Sequence, residues 1–306
     1  MRERVLSTTP VKSAVRTAEL LDYLARNDGP HSLTELQQQL GYPKSSLHVL
    51  LRTLVDLGWL ETDTTGTLYR IGIRALLVGT SYIDRDEVVQ LSREILDWVA
   101  EETTETVHLA RLDGFDVVYL ATRASTHYLR PFSRVGRRLP AYATSLGKAL
   151  LATRKDEAIR GLLPDPLEAL TPNTLTDTDA LLADLARTRE RGYAIDHEEN
   201  TLGLMCFGVA VPYREPPRDA ISCSVPVARM NPEREQQIPR ILSEACARIA
   251  EGTLRLRRTV LRAVVRVRGT RSARICRTRN RAGSGVASGS RAPSGRPCTG
   301  LAAWRR

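Results

Sequence analysis

The sequence predicts an α+β chain: a helix-rich N-terminal unit, a linker helix, a larger mixed domain and a basic tail. Three observations support this prediction. The first 80 residues contain three segments in which apolar residues have helical spacing, and a β-hairpin signal follows them. Beyond residue 104, short strand-like runs alternate with helical ones. From Arg257 onward, the chain contains 14 Arg and no acidic residue.

The chain has 306 residues, of which 42% are hydrophobic and 26% are charged, and this composition is typical of a globular protein. No apolar run approaches the roughly 18 residues of a membrane span. Five cysteines without CxxC spacing argue against a disulfide scaffold or a zinc cluster. Removing the 14 tail charges from the net charge of +10 leaves −4 for residues 1–256. We therefore expect a cytoplasmic protein, whose net charge does not by itself indicate nucleic-acid binding.

Three helices are predicted in the N-terminal unit. The first covers residues 11–27, where apolar residues form a helical stripe. Ser32 and Glu35 have the spacing of a capping box, which begins a short second helix. Pro43 opens the third helix, and Gly58 suits a left-handed cap at its end.

A hairpin signal follows the third helix. Residues 59–61 and 67–71 are strand-like runs on either side of the turn sequence 63–66. Three helices and a hairpin in this order are typical of a winged helix-turn-helix, which lays its third helix in the DNA major groove.

The rest of the chain is predicted as a helical linker followed by the mixed domain. Residues 73–102 are helical, with a break near Asp84. Asp113-Gly114 is a strong hairpin signal. The two strands of this hairpin are predicted over 106–110 and 117–121. The elements predicted after the hairpin are a helix over 145–152, a helix capped by Thr176 and Asp179, strands over 206–211 and 220–225, and a closing helix over 230–252.

The segment 257–306 is rich in Arg, Gly, Ser and Ala and has no sustained hydrophobic period. Such a segment buries too little apolar surface to offset the entropy of ordering it. We predict a disordered tail. A basic arm that adds phosphate affinity is the alternative function for this segment.

Several sequence motifs together resemble the IclR family of bacterial transcriptional regulators. They are SLTELQQQLGYPKSSLHVLLRTLVDLGWLE, LYRIG, RLPAYATSLGKALLA, RGYAIDHEENTLGLMCFGVAVP and ISCSVP, in that order. The resemblance implies a GAF-like effector-binding domain with a six-stranded antiparallel sheet flanked by helices. It also implies a dimer through the DNA-binding half, and often a tetramer. The expected domains are 1–72 (winged helix-turn-helix), 73–85 (linker helix), 86–256 (effector-binding) and 257–306 (tail).

The candidate DNA contacts are Lys44, Ser45, Ser46, His48, Arg52 and Arg70. The first three stand at the start of the third helix, where free amides and polar side chains suit phosphate. His48 and Arg52 are four residues apart and share a face, so both can reach base edges. Arg70 lies in the predicted wing, positioned for a phosphate or the minor groove.

The candidate effector contacts, assigned by the resemblance, are Ser145, Leu146, Asp196, Cys206, Ser222 and Ser224. Hydroxyls and helix-start amides suit a carboxylate, and Asp196 suits a ligand hydroxyl. Each assignment has a structural alternative: a polar strand face for the two strand serines, a small buried apolar residue for Cys206, and a loop cap for Asp196.

Other motifs do not indicate catalysis or a cofactor. Gly147-Lys148 is not a phosphate-binding loop, because Tyr142 stands where that motif needs Gly. His108, His127 and His197 lack metal-ligand spacing. We predict no catalytic residue, no metal and no cofactor. A small-molecule enzyme with an accessory winged helix is the alternative; it would make Cys206 or His108 essential.

The sequence therefore predicts a ligand-responsive, sequence-specific transcriptional regulator. Its expected partners are a pseudo-palindromic double-stranded DNA operator and a small organic acid, such as a sugar acid or a catabolic intermediate. We expect a homodimer or homotetramer, no membrane association, and repression as its role. A general nucleic-acid binder driven by the tail is the second alternative.

Overall fold

The computed structural model describes the backbone of residues 10–279 and the side chains of residues 10–259. Of the described residues, those up to Thr253 form one compact unit, and those from Leu254 to Arg279 belong to a second.

The N-terminal part of the first unit has the predicted three helices and hairpin. Its elements are α1 (Lys12–Arg26), β1 (His31–Ser32), α2 (Leu33–Leu40), α3 (Lys44–Asp56), β2 (Leu60–Thr62) and β3 (Leu68–Ile71). The short strand β1 was not predicted. It pairs with β3, so the wing is a three-stranded antiparallel sheet in the order β1-β3-β2.

The capping box predicted before α2 is present. The Glu35 amide donates to Ser32 Oγ at 3.2 Å, and the Ser32 amide donates to the Glu35 carboxylate at 2.8 Å. Ser32 also pairs with Leu68 of β3. The same residue therefore begins α2 and fixes the wing.

A long helical segment connects the two parts of this unit. It consists of α4 (Ile73–Arg85) and α5 (Glu87–Thr103). The break that we predicted near Asp84 falls at Asp86, whose carboxylate caps α5 by accepting from the amides of Val88 and Val89. No residue of α4 is buried.

The second part is built on a six-stranded sheet, as the resemblance implied. Its strands are β4 (Thr106–Asp113), β5 (Asp116–Arg123), β6 (Arg138–Pro140), β7 (Ala194–His197), β8 (Leu204–Ala210) and β9 (Asp219–Pro226). They are antiparallel in the order β6-β5-β4-β9-β8-β7. The remaining helices are α6 (Ser145–Ala152), α7 (Asp156–Leu162), α8 (Thr178–Arg191) and α9 (Pro232–Arg279).

Helices cover both faces of this sheet. Val107, Leu109 and Ile221 point to the face that packs with α5 and α9. Ala110 and Ala220, at alternate positions, point to the face that packs with α6 and α8. Side chains of a single strand therefore contribute to two separate hydrophobic cores. The face that packs with α6 and α8 also carries the polar residues described below.

Two expected boundaries differ from the structure. The N-cap of α8 is Asp177, whose carboxylate accepts from the Ala180 amide at 2.7 Å, and not Thr176. An ionised carboxylate at this position also favours the positive end of the helix dipole.

Helix α9 continues through Arg279, beyond Arg257, where disorder was expected to begin. Residues 257–268 contain neither Gly nor Pro and include Arg, Leu and Ala, which all favour helix. The rest of the predicted tail, 280–306, lies outside the described residues. In the described part of the chain, no helix is both long and apolar enough to cross a membrane.

Candidate functional site

Helix α3 carries a basic stripe on its exposed side. Lys44, His48 and Arg52 recur at every fourth position and are all exposed. Leu47 and Leu51, on the opposite side, are buried in the core of the N-terminal part. The buried leucines fix the orientation of α3, and the exposed stripe can face a groove of DNA.

The start of α3 supplies further polar groups. Pro43 is the N-cap, and Ser45 and Ser46 lie exposed in the first turn. Ser46 Oγ donates to the Pro43 carbonyl at 3.0 Å. The backbone amides of this turn have no partner within the helix, which makes the helix start suitable for phosphate.

Arg70 lies exposed on β3 of the wing. Its guanidinium binds the Glu61 carboxylate on β2, with an Nη2–Oε2 distance of 3.0 Å. A DNA phosphate would compete with this carboxylate for the guanidinium, so the pair orients Arg70 while weakening its contribution to DNA binding.

A groove of about 310 Å³ lies between α1 and α2 of the N-terminal part. Its lining includes the carboxylates of Glu19 and Asp22 and one guanidinium, that of Arg26. Two carboxylates at the mouth repel an organic acid or a phosphate. This groove is therefore not suited to an acidic effector.

A smaller cavity, of about 40 Å³, lies at the sheet of the second part. It contains three of the six residues predicted to bind an effector: Asp196, Cys206 and Ser224. The other lining residues are His108, Tyr119, Pro131, Phe132, Ser133, Arg137, Leu139, Thr144, Asn200, Thr201 and Leu204.

The three predicted residues form a row across neighbouring strands. Asp196 of β7 pairs with Cys206 of β8, and Cys206 pairs with Ser224 of β9. Cys206 Sγ donates to Ser224 Oγ at 3.2 Å. Burial raises the pKa of the Cys206 thiol well above its usual range, so this thiol is protonated at neutral pH.

An aromatic stack forms another part of the lining. The rings of His108 and Tyr119 lie 4.5 Å apart and nearly parallel. Burial, with a smaller effect of the Arg137 charge, lowers the pKa of His108 to about 3, so its ring is neutral. Arg137 is consequently the cation of this lining at neutral pH.

Ser145, Leu146 and Ser222 do not line the cavity described here. Leu146 belongs to the hydrophobic cluster under α6. A Cβ on Gly208 would lie 2.4 Å from the Ser145 carbonyl oxygen, so the start of α6 packs directly on β8. This close packing covers these positions, and the nearby Thr144 side chain lines the cavity in their place.

Lys148 and Glu199 form a buried ion pair that sequence reasoning missed. Lys148 Nζ lies 2.5 Å from Glu199 Oε1 and 2.9 Å from Asp184 Oδ2, with the lysine side chain only 1% exposed. Glu199 is also buried. The lysine neutralises carboxylates that burial would otherwise penalise.

Comparisons with known proteins cover almost all of the first unit. Residues 13–64 match the IclR helix-turn-helix domain, and residues 80–251 match the C-terminal domain of bacterial transcriptional regulator IclR. The transcriptional repressor IclR of Escherichia coli is 34% identical over 257 residues, which are 81% of this chain and 93% of the relative. The acetate operon repressor of Salmonella typhimurium is 33% identical over 79% of this chain and 90% of its own.

A solved IclR regulator from Alicyclobacillus acidocaldarius has the same architecture. It is 26% identical, with a TM-score of 0.72 over 80% of this chain and all of its own. The two domain matches together span well over half of the sequence and follow the observed order of winged helix and six-stranded sheet. The chain therefore belongs to the IclR family of bacterial transcriptional regulators.

Proposed function

We propose that the cavity binds a small organic acid and that this binding changes the affinity of the winged helix for an operator. The Arg137 guanidinium supplies the charge that a carboxylate needs, and the Ser224 hydroxyl can donate a hydrogen bond to it, whereas the Thr144 hydroxyl already donates to the Pro140 carbonyl. Asp196, at the far side of the row, can accept from a ligand hydroxyl.

The cavity size supports a small ligand. Its volume of about 40 Å³ corresponds to roughly three water molecules at 10–15 Å³ each. A carboxylate with one or two further carbons fits without rearrangement. A larger acid requires the loop residues of the lining, 131–133 or 200–201, to move outward, since most of the other lining residues lie on strands.

The DNA contacts that we propose are the α3 stripe of Lys44, His48 and Arg52, together with the helix start. Ser45 and Ser46 hold the phosphate backbone there, and Arg70 contributes from the wing. The stripe is exposed, and α3 follows α2 through a three-residue turn, which is the geometry of helices that read the major groove.

We propose that two copies pair through α4. This helix exposes 60% of Ile73, 59% of Leu76, 61% of Leu77 and 53% of Val78. Ile73, Leu76 and Leu77 are spaced by three and four residues and form one helical stripe, with Val78 beside it, and a second copy with the same stripe would bury it. A twofold dimer then reads a pseudo-palindromic operator, and two dimers can form a tetramer. Repression is the proposed sign, because the relatives described above are named repressors.

The observation that carries the proposal is a cavity on the sheet of an IclR-family chain that is lined by the Arg137 guanidinium and the Ser224 hydroxyl. The test is fluorescence anisotropy of labelled DNA from directly upstream of the chain's own coding sequence, with excess competitor DNA. Acids are added as matched pairs, propionate with lactate and benzoate with 4-hydroxybenzoate. Each pair differs by one hydroxyl, which tests the role of Asp196.

We expect specific binding that one pair alters, with the hydroxyl acid acting at the lower concentration. Specific binding that no acid alters would remove the acid-binding half of the proposal. Absence of specific binding would contradict the DNA-binding half.

A further inference from the structure

Arg111 is a buried charged residue on β4 that the effector cavity does not use. Its side chain is 9% exposed and forms an ion pair with Asp219, which lies directly opposite on β9. Arg111 Nε donates to Asp219 Oδ1 at 2.6 Å, and Nη2 donates to Oδ2 at 2.9 Å. This two-point contact fixes the plane of the guanidinium relative to both strands.

The other edge of the same guanidinium holds the end of the linker helix α4. Nη1 donates to the Tyr82 hydroxyl at 2.7 Å, and Nη2 donates to Asp86 Oδ1 at 3.1 Å. Tyr82 lies in the last turn of α4, and Asp86 is the junction residue that caps α5. One side chain therefore joins the sheet to the point where α4 ends.

The strands that carry Arg111 and Asp219 also carry the cavity. His108 and Ser222 pair with each other on β4 and β9, three positions from the pair of Arg111 and Asp219. The pairing of β4 with β9 is unbroken over this interval, whereas the pairing of β4 with β5 has a bulge whose extra residue, Leu120, lies on β5. A displacement of β4 and β9 at the cavity is therefore carried along both strands to the pair of Arg111 and Asp219.

We propose that Arg111 couples the effector cavity to the DNA-binding part by transmitting movement of β4 and β9 to the end of α4. This inference rests on the proposed function, because it assumes an acid at the cavity and DNA at α3. A ligand that displaces β4 and β9 together relative to α4 cannot preserve the contacts of one rigid guanidinium with Asp219 on one side and with Tyr82 and Asp86 on the other. The two positions of α4 then differ in free energy, and an effector that favours one of them changes operator affinity.

A purely structural ion pair is the competing explanation, and variants can separate the two. Tyr82→Phe removes one contact of Arg111 at a residue that is 52% exposed, so the fold is retained. Asp86→Ser removes the ion pair between Asp86 and Arg111 but keeps a residue that is a good N-cap for α5. Arg229→Lys is the matched control. Arg229 makes a similar two-point pair with the buried Glu105, at the opposite end of β4 and away from α4.

The test uses hydrogen–deuterium exchange of the full chain, with and without the double-stranded DNA upstream of its own coding sequence. Coupling is reciprocal, so DNA binding at α3 must change exchange in the peptides that cover 106–113 and 219–226. We expect this response in wild type and Arg229→Lys. In Tyr82→Phe and Asp86→Ser we expect it to fall by roughly five-fold or more, with DNA affinity little changed.

Each other outcome overturns the inference. A wild type that binds DNA without any response in these peptides has no coupling through the strands. A response that survives in Asp86→Ser and Tyr82→Phe does not pass through Arg111. A response that Arg229→Lys also loses reflects general stability. Absence of DNA binding by the wild type is a different failure, because it contradicts the proposed function itself.

Discussion

Asp196 Oδ1 accepts a hydrogen bond from the backbone amide of Glu199 at 2.8 Å, at the turn that follows β7. The Asp196 carboxylate is therefore fixed to the Glu199 backbone, and the Glu199 carboxylate is bound to Lys148. The arrangement keeps one charge of this cluster paired and leaves the Asp196 carboxylate facing the cavity.

The first prediction concerns pH. Burial, followed by the neighbouring Glu199 charge, raises the pKa of Asp196 to about 7. In an unfolded chain this carboxyl titrates near 4. The folded state holds its proton more tightly, so the contribution of this group to stability falls as pH rises from about 4 to about 7.

Asp196→Asn keeps an oxygen acceptor for the Glu199 amide and removes this titration. We expect the variant to gain on wild type by at most about 1.4 kcal/mol per pH unit between pH 5 and pH 7. Urea unfolding at a series of pH values measures the difference. Parallel pH profiles for the two proteins would show that Asp196 does not titrate in this range.

The second prediction separates two serines on one strand. Ser224→Ala removes a hydroxyl that lines the cavity, and Ser222→Ala removes one that does not. A hydrogen bond to a charged group is worth about 1.5–3 kcal/mol, so Ser224→Ala should weaken the acid response roughly ten-fold or more. The lactate or 4-hydroxybenzoate titration of the DNA complex provides the readout. Equal effects of the two substitutions would contradict the placement of the cavity.

The third prediction concerns the exposed stripe of α3. Arg52→Ala should cost about 1–3 kcal/mol at the operator and little on competitor DNA, because a base contact is lost. Lys44→Ala, at the helix start, should weaken binding to both DNAs and make the salt dependence shallower. Binding measured at several salt concentrations distinguishes them. Arg52 would be a phosphate contact if both DNAs lost equal affinity.

The fourth prediction tests the close packing of α6. A Cβ on Gly147 would lie 2.1 Å from the Ala141 carbonyl oxygen, so alanine there requires the backbone to move. We expect Gly147→Ala to destabilise the chain by about 3 kcal/mol. Gly161→Ala is the control. A Cβ at Gly161, in α7, meets no atom within 4 Å, and alanine should gain up to about 1 kcal/mol through helix propensity.

Thermal unfolding of the two glycine variants gives this comparison directly. A Gly147→Ala variant as stable as wild type would mean that α6 can shift away from Ala141. The cavity walls would then be adjustable on this side.

The fifth prediction tests the dimer. Leu77→Glu places a charge in the apolar stripe of α4 and should shift the chain to monomers in sedimentation experiments. Leu129→Glu, at a residue that is 64% exposed in the loop after β5, is the control and should leave the oligomer unchanged. Self-association that survives Leu77→Glu would place the interface elsewhere.

Local signals predicted much of this fold. The Ser32 capping box, the Asp113-Gly114 hairpin and the helix over 145–152 each depend on residues close in sequence, and each is present. Strand β1 could not be predicted this way. It is two residues long, and its pairing with β3 spans more than thirty residues, with no periodicity of its own.

The candidate site likewise has features that the sequence indicates and features that depend on long-range packing. Asp196, Cys206 and Ser224 meet because strand pairing brings them into one row, as the family motifs imply. Leu146 does not line the cavity, because α6 packs closely against β8 at Gly208, and the sequence does not indicate how close this approach is. Lys148 and Glu199 are 51 residues apart, and a lysine in a helix carries no sequence signal that it will be buried.

The double role of Ser32, in the α2 cap and in the wing sheet, has a consequence for the DNA that this chain reads. Helix α2, helix α3 and the wing also share one hydrophobic core, so they form one compact body. If α3 reads bases and the wing binds phosphate as proposed, the spacing between those contacts is constant within a half-site. Variation among operators should appear as different distances between half-sites, while the length of each half-site stays the same.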